Sequence, residues 1–180
     1  MKENGTIVDC IGTRLPAVPT TLLSAITKTL LFANNLLNSI PTEDLRAAPN
    51  LDFLDFRHQL ITVIVNNSFI TTPNLQTLLL DGNFFLREIQ LDAFQHLTRL
   101  TRLSITMTDL TSISRRHFAP LVAIDDLTFG LTNMPQVCVR GGGGGGRRGE
   151  LYGVCVCVCV CVCVCVYACV YIPRGYSRNA

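Results

Sequence analysis

The sequence predicts an α/β-type repeat solenoid, in which short parallel strands line a concave surface and return segments run behind them. The first observation is the stretch from Leu75 to Asn83, which has the form LxxLxLxxN. The second is that this apolar skeleton recurs, with first residues at Thr27, Leu51, Leu75, Leu100 and Ile124. The third is the spacing, because these starts lie 24, 24, 25 and 24 residues apart. A fixed period of this length is typical of stacked structural repeats.

Each repeat should contribute one strand, whose phase follows from the alternation of its side chains. Counted from the first residue of a repeat, positions 4 and 6 share one strand face and point into a common core. We therefore predict parallel strands at Thr29–Phe32, Phe53–Phe56, Thr77–Leu80, Arg102–Ile105 and Asp126–Phe129. Position 11 should add a third core layer, made of Leu37, Ile61, Phe85, Leu110 and Met134. The return segments should bury Leu45, Phe69, Phe94 and Phe118.

Two irregularities interrupt the repeat pattern. The third repeat, residues 75–99, is one residue longer than its neighbours, and we interpret the extra residue near Leu86 as a bulge on the convex side. Position 9 should hold an asparagine that bonds the turn and the next coil. Asn35 and Asn83 fit this expectation, whereas the other repeats have Gln59, Thr108 and Thr132. The resulting ladder of polar side chains is expected to be uneven.

The motif and its period resemble those of leucine-rich repeat proteins, and the preceding residues resemble the N-terminal cysteine cap of the extracellular members. The cap resemblance depends on residues 5–10, Gly-Thr-Ile-Val-Asp-Cys, and on residues 15–19, Leu-Pro-Ala-Val-Pro. It implies a horseshoe fragment with a partial cap at 4–26, then about four full repeats and a partial fifth at 27–136. Disulfides pin the cap in that family, and Cys10 matches its last cysteine. A buried free thiol and a lost disulfide are both open interpretations of Cys10.

The resemblance also implies an extracellular or cell-surface protein. Asn-x-Ser/Thr sequences at Asn4 and Asn66 fit that setting as glycosylation sites, and unmodified surface asparagines are the alternative. The first six residues lack the apolar stretch of a secretory signal peptide, so we expect the sequence to begin inside a longer ectodomain. Residues 27–123 contain eight basic and eight acidic side chains. This balance predicts no attraction for nucleic acid.

The composition changes after Pro135. Residues 137–150 contain six consecutive glycines and are interpreted as a flexible linker. Residues 151–180 form a low-complexity tail in which valine alternates with cysteine, and four interpretations compete. They are a strand with valine on one face, a thiolate metal site, a membrane span over the 22 uncharged residues 151–172, and translation of a non-coding GT repeat. We favour the last, and we expect residues 137–180 to make few contacts with the repeats.

Residue types that carry catalysis are scattered. His58, His96 and His117 fall at repeat positions 8, 22 and 18, so they should lie on different faces. No metal, nucleotide or nucleophile motif accompanies them. We therefore expect no catalytic residue, no metal site and no cofactor, and predict that the protein is not an enzyme.

Function should reside on the concave face, which is formed by the strand residues between the core positions. The predicted partner-binding residues are Asp52, Phe53, Asp55, Arg57, His58, Thr77, Leu79, Asp81, Arg102, Ser104 and Thr106. Phe53 has no core role in this register and is a candidate anchor for a protein ligand. The mixed charges around it also favour a protein partner.

These features predict a non-enzymatic protein–protein recognition module from an adhesion or ligand-binding ectodomain. The alternative is a single-pass membrane receptor whose span is 151–172. A cytosolic interaction scaffold is a third and weaker interpretation.

Overall fold

The computed structural model describes the backbone of residues 2–3, 6–131, 137–140, 153–160 and 164–171, and the side chains of residues 6–129. Its strands are β1 Lys2–Glu3, β2 Ile7–Asp9, β3 Thr29–Leu31, β4 Phe53–Asp55, β5 Val63–Ile64, β6 Thr77–Leu79, β7 Glu88–Ile89, β8 Arg102–Thr108, β9 Asp126–Leu131, β10 Val137–Arg140, β11 Gly153–Val160 and β12 Val164–Tyr171. The helices among these described residues are a single 3-10 turn, Thr20–Leu22, and two short α-helices, α1 Thr42–Leu45 and α2 Arg115–Phe118.

A parallel sheet runs through the repeats in the order β2, β3, β4, β6, β8 and β9. Its register aligns the position-4 residues, which are Leu30, Leu54, Leu78, Leu103 and Leu127. The strands fall where the 24-residue period places them, so the solenoid and its strand phase are confirmed. β8 and β9 run further than predicted, to Thr108 and Leu131, with a register shift after Ile105.

The core follows the repeat positions in three layers. The side chains at positions 4 and 6 are buried in all five repeats. Behind them the return-side phenylalanines form a stack, in which the ring centroids of Phe69 and Phe94 lie 6.1 Å apart and those of Phe94 and Phe118 lie 6.4 Å apart. Phe118 then meets Phe129 edge-on at 6.0 Å. Because each ring packs on the ring of the next coil, no repeat can bury its own apolar face alone.

The polar ladder is uneven, as expected, because Asn83 Oδ1 has no hydrogen-bond partner within the described residues, whereas the side-chain oxygens of Asn35 and Gln59 each accept a backbone N–H. The Asn35 carboxamide donates to the carbonyls of Cys10 and Phe32, both at 2.8 Å, and accepts from the backbone N–H of Leu15. Gln59 does the same work one coil later, since it donates to the Phe32 carbonyl at 2.7 Å and accepts from the Leu37 N–H at 3.1 Å. The longer side chain therefore keeps the bond to the preceding coil and the bond from a backbone N–H, while its second donated bond goes to the Arg57 carbonyl at 3.1 Å.

The segment before the first repeat covers its open edge. β2 pairs in parallel with β3, and Val8 and Cys10 are fully buried against the first coil. Cys10 is a buried free thiol within the described residues, and its interpretation as a lost disulfide stays a prediction. Burial raises the pKa of the Cys10 thiol above its ordinary value. The neutral thiol thus acts as a small apolar core residue.

The third repeat corrects the predicted core. The repeat pattern predicts Phe85 in the third layer, but this residue is 51% exposed. Leu86 fills the layer instead and has no exposed surface. The extra residue therefore lies before Leu86, so that Phe84 and Phe85 both remain outside. The Leu86 N–H closes this turn by donating to the Asn83 carbonyl at 2.9 Å. The other described members of the layer, Leu37, Ile61 and Leu110, are buried as predicted.

The expectation that residues 137–180 make few contacts with the repeats is wrong for their first strand. β10 pairs antiparallel with β9, with Val137 opposite Phe129 and Arg140 opposite Asp126. The predicted linker therefore begins with a strand, while its residues 141–150 lie outside the described residues. An unpaired strand edge is a template for any chain of high β-propensity, and the Val-Cys-Val-Arg sequence of β10 meets that description.

The Val-Cys tail continues the same sheet. β11 pairs with β10, and β12 pairs with β11 along its full length. Strands thus occupy the part of 151–172 that the structure describes, in place of the helix that the membrane-span interpretation required. Alternating β-branched residues favour this outcome. Among the described residues, none of the helices has the length and apolar character needed to cross a bilayer.

Candidate partner-binding surface

The concave face is built from three rows of side chains that run across the strands at positions 3, 5 and 7. The parallel register places Phe53 between Thr29 and Thr77, and Asp55 between Leu31 and Leu79. Each row therefore brings together residues that are about 24 apart in sequence. The rows contain all the predicted partner-binding residues except Asp52 and His58, which lie at positions 2 and 8. That a partner binds these residues stays a prediction.

A buried acidic side chain organises the centre of this surface. Asp55 is 2% exposed, and its carboxylate accepts two hydrogen bonds from the Arg57 guanidinium, at 2.8 Å to Nε and 2.7 Å to Nη2. The hydrogen bonds with Asp55 raise the pKa of Arg57 above its ordinary value, and the nearby charge of Asp81 adds to this effect. The bidentate pair fixes the plane of the guanidinium, whose side chain keeps 43% of its surface exposed. Arg57 is therefore presented to a partner in one orientation.

Asp81 of the third repeat links that repeat to the fourth. Its Oδ1 accepts from the Ser104 hydroxyl at 2.6 Å, from the Thr106 hydroxyl at 2.7 Å and from the Thr106 N–H at 2.9 Å. At the far end Arg102 pairs with Asp126 at 3.1 Å, with both side chains substantially exposed. Arg57 and Arg102 are thus each paired with a carboxylate, and Asp81 is held by hydroxyl and backbone donors.

The predicted residues divide into three groups by accessibility. His58 and Arg102 are exposed. Asp55 and Thr106 are buried, so their side chains support the surface and are not accessible to a partner. This corrects their prediction as contact residues. The half-buried members are Asp52, Phe53, Arg57, Thr77, Leu79, Asp81 and Ser104.

Sequence reasoning missed an exposed apolar row beside the concave face. It consists of the position-10 residues of three successive repeats together with the inserted phenylalanine: Leu36, Leu60, Phe84 and Phe85. We call this row the apolar edge. It joins the concave face through His58, whose ring centroid lies 6.4 Å from that of Phe84. Single exposed apolar residues are ordinary, but these residues recur at one repeat position and therefore lie on neighbouring coils. The extra residue of the third repeat is the feature of the sequence from which the apolar edge could have been predicted.

Position 8 turns the chain between the concave face and the apolar edge. Asn34, His58, Gly82 and Met107 all have positive φ there, at 58°, 54°, 71° and 55°. Gly82 is also in close contact with its neighbour, because a Cβ atom added at this position would meet the His58 imidazole. The glycine therefore leaves room for the His58 ring to pack against the turn, where it also contacts Phe84.

Gly82→Ala should destabilise the fold by about 1–2 kcal/mol through its left-handed backbone alone, with an added cost from displacing His58. When His58 is already replaced by alanine, Gly82→Ala should lose this added cost and keep only the cost of the left-handed backbone. A double-mutant cycle measured by urea denaturation separates the two terms. Equal losses for Gly82→Ala in the presence and absence of the imidazole would show that the ring does not rest on Gly82.

The remaining candidate chemistry is dispersed, as expected. His96 bonds Asn67 on the return side, and His117 bonds Ser114 at the N-terminus of α2. The Ser114–His117 pair is a helix cap, since each side chain bonds the backbone of the other residue. Within residues 6–129, His, Cys, Asp and Glu form no group of three or more that could hold a metal ion. Of the two predicted glycosylation sites, Asn66 is exposed on the return side, and Asn4 lies outside the described residues.

Comparison with known proteins agrees with this geometry. Residues 73–130 match the family model described as leucine rich repeat. No curated protein matches the chain in sequence. The fold, the repeats and this match together support a leucine-rich repeat solenoid.

Several solved structures share the fold. The leucine-rich repeat domain of APL1B has a TM-score of 0.60 and 19% identity, and the match covers 69% of this chain and 37% of that one. TLR13 in its complex with ssRNA13 has a TM-score of 0.58 and 23% identity, with 65% and 17% coverage. Human 5T4, also called Wnt-activated inhibitory factor 1 or trophoblast glycoprotein, has a TM-score of 0.53 and 20% identity, with 71% and 58% coverage. The chain thus spans less than two thirds of each of these proteins.

Proposed function

We propose that the chain is a non-enzymatic module that recognises a protein ligand or receptor through its concave face and apolar edge. One observation carries the proposal: two phenylalanines are each 51% exposed, and Phe84 joins them through His58 to a concave face on which Arg57 and Asp81 are already hydrogen-bonded. Neither phenylalanine is needed by the core, because Leu86 fills the layer next to them.

The two parts of this surface have different roles in recognition. A few residues contribute most of the binding free energy of an interface, and aromatic side chains are enriched at interface cores. Phe84 and Phe85, together with the half-buried Phe53, are such anchors. The fixed Arg57–Asp55 pair contributes specificity, because a preordered polar group loses little side-chain entropy on binding.

An extracellular or cell-surface setting, with an adhesion or ligand-binding role, follows from the resemblance of residues 5–19 to an extracellular cap and from the sequons. The likeness to human 5T4, called trophoblast glycoprotein, is consistent with it. The TLR13 structure is a complex with ssRNA13, but eight basic against eight acidic side chains in residues 27–123 do not favour RNA here. We therefore propose a protein partner.

The class of partner can be tested with the purified full chain as a fluorescent tetramer. The tetramer is applied to an array of purified extracellular proteins and, in parallel, to immobilised single-stranded RNA. We expect saturable binding to one or a few proteins that persists at 0.15 M salt, a condition that leaves buried contacts intact while screening exposed charges. Binding to RNA alone, with a steep loss as salt rises, would contradict the proposal.

A further inference from the structure

We infer that Asn66 is an N-glycosylation site whose glycan projects from the return side of the solenoid, away from the proposed partner surface. The inference rests on the proposed extracellular setting, because the modification occurs on entry to the secretory pathway. Asn66, Asn67 and Ser68 supply the acceptor sequence Asn-x-Ser. Asn66 lies in a turn two residues after the end of the return-side strand β5.

The surroundings of Asn66 fix its carboxamide in an accessible orientation. The Asn66 N–H donates to Gln90 Oε1 at 2.8 Å, and Asn66 Oδ1 accepts from the Asp92 N–H at 3.0 Å. These bonds hold the residue against the next coil through its backbone and its oxygen. Nδ2, the atom that carries a glycan, donates no hydrogen bond within the described residues, and the residue is exposed. A sugar on Nδ2 therefore costs the fold no hydrogen bond.

The other two residues of the sequon are held by the same turn. Asn67 adopts a φ of 59° and bonds His96 Nε2 at 3.0 Å. Ser68 is buried, and its hydroxyl donates to the Val65 carbonyl at 2.7 Å. Since the serine is occupied in the folded chain, transfer is expected while the chain is still unfolded, and the folded turn then retains the product.

The transfer requires an oligosaccharide carried on a polyprenyl diphosphate. Asn66 Nδ2 attacks C1 of the first sugar, so that an N–C bond forms, the C–O bond to the diphosphate breaks, and the nitrogen loses one proton. No oxidant or reductant takes part. The leaving group is the polyprenyl diphosphate.

The test uses the full chain behind a secretory signal peptide in mammalian cells. Both cells and medium are treated with peptide-N-glycosidase in heavy-oxygen water, which converts an occupied asparagine into labelled aspartate that mass spectrometry locates. We expect the label at residue 66 in most molecules. Asn66→Gln should lose it, with the loss of one glycosidase-sensitive band on a gel. Asn67→Asp keeps the acceptor sequence and is the matched control, so it should retain both.

Asn66 peptides without label in either fraction would overturn the inference, whether or not the chain is secreted. The proposed function is tested separately by measuring the binding of the glycosylated and the deglycosylated chain to the protein array. Because the glycan leaves from the return side, we expect equal binding by the two forms. A glycan that abolishes binding would contradict its placement away from the partner surface while leaving protein recognition established.

Discussion

Replacement of Phe94 by alanine is expected to lower the free energy of unfolding by about 3–5 kcal/mol, as for other large-to-small changes in packed cores. Phe94 is fully buried and stacks between the rings of Phe69 and Phe118. Its loss would leave a cavity shared by three successive coils. The rings on either side belong to different repeats, so the neighbours cannot close the gap without moving the backbone of a coil.

Phe84→Ala is the matched control, because the same atoms are removed from a residue that is half exposed. Surface substitutions usually change stability by no more than about 0.5 kcal/mol. Urea denaturation followed by circular dichroism measures both variants under the same conditions. Comparable losses in the two would mean that the phenylalanine stack is not part of the core.

Leu78→Ala is expected to cost about 2–5 kcal/mol, because Leu78 is fully buried between Leu54 and Leu103 in the parallel register. Leu79→Ala, one residue further on, should cost much less, since Leu79 lies half-buried on the concave face. The pair tests the phase of the strands, which a shift of one residue would reverse. If Leu79→Ala were the more damaging change in the same denaturation measurement, the assigned phase would be wrong.

The strands could be predicted because one chemical rule repeats at a fixed interval. Leu54, Leu78 and Leu103 occupy the same position in three coils, and alternation within each strand then sets the direction of every side chain. The inserted residue could not be placed in this way. Phe84, Phe85 and Leu86 are three consecutive apolar residues, so each is an acceptable core residue, and only the packing of the finished turn selects Leu86.

The candidate surface was predictable in outline but not in its details. The period identifies which side chains leave the strands toward the concave face. It does not reveal that Arg57 folds back on Asp55 and buries it, because such a pair depends on rotamers at positions 5 and 7 of one strand. The period also does not predict that the longer side chain of Gln59 bonds the backbone of the preceding coil, as an asparagine at this position would.

The edge of the sheet was also outside the reach of the repeat pattern. The last repeat strand, β9, pairs with β10 and so extends the sheet beyond the parallel array. A period of 24 residues predicts contacts between successive coils. It cannot predict that a strand from a segment of different composition pairs antiparallel with the last coil. Pairing of backbone groups at a free edge decided this contact.

The most direct test of the recognition surface compares two double variants with the native chain, against a protein identified on the array. Phe84→Ala/Phe85→Ala removes the exposed aromatic pair of the apolar edge, whereas Val65→Ser/Ile70→Ser changes two exposed apolar residues outside the concave face and the apolar edge. Surface plasmon resonance should show Kd raised by about tenfold or more for the first variant, the change that corresponds to about 1.4 kcal/mol, and an unchanged Kd for the second. Unchanged affinity for the phenylalanine variant, with loss for the Val65/Ile70 variant, would contradict recognition through the concave face and apolar edge.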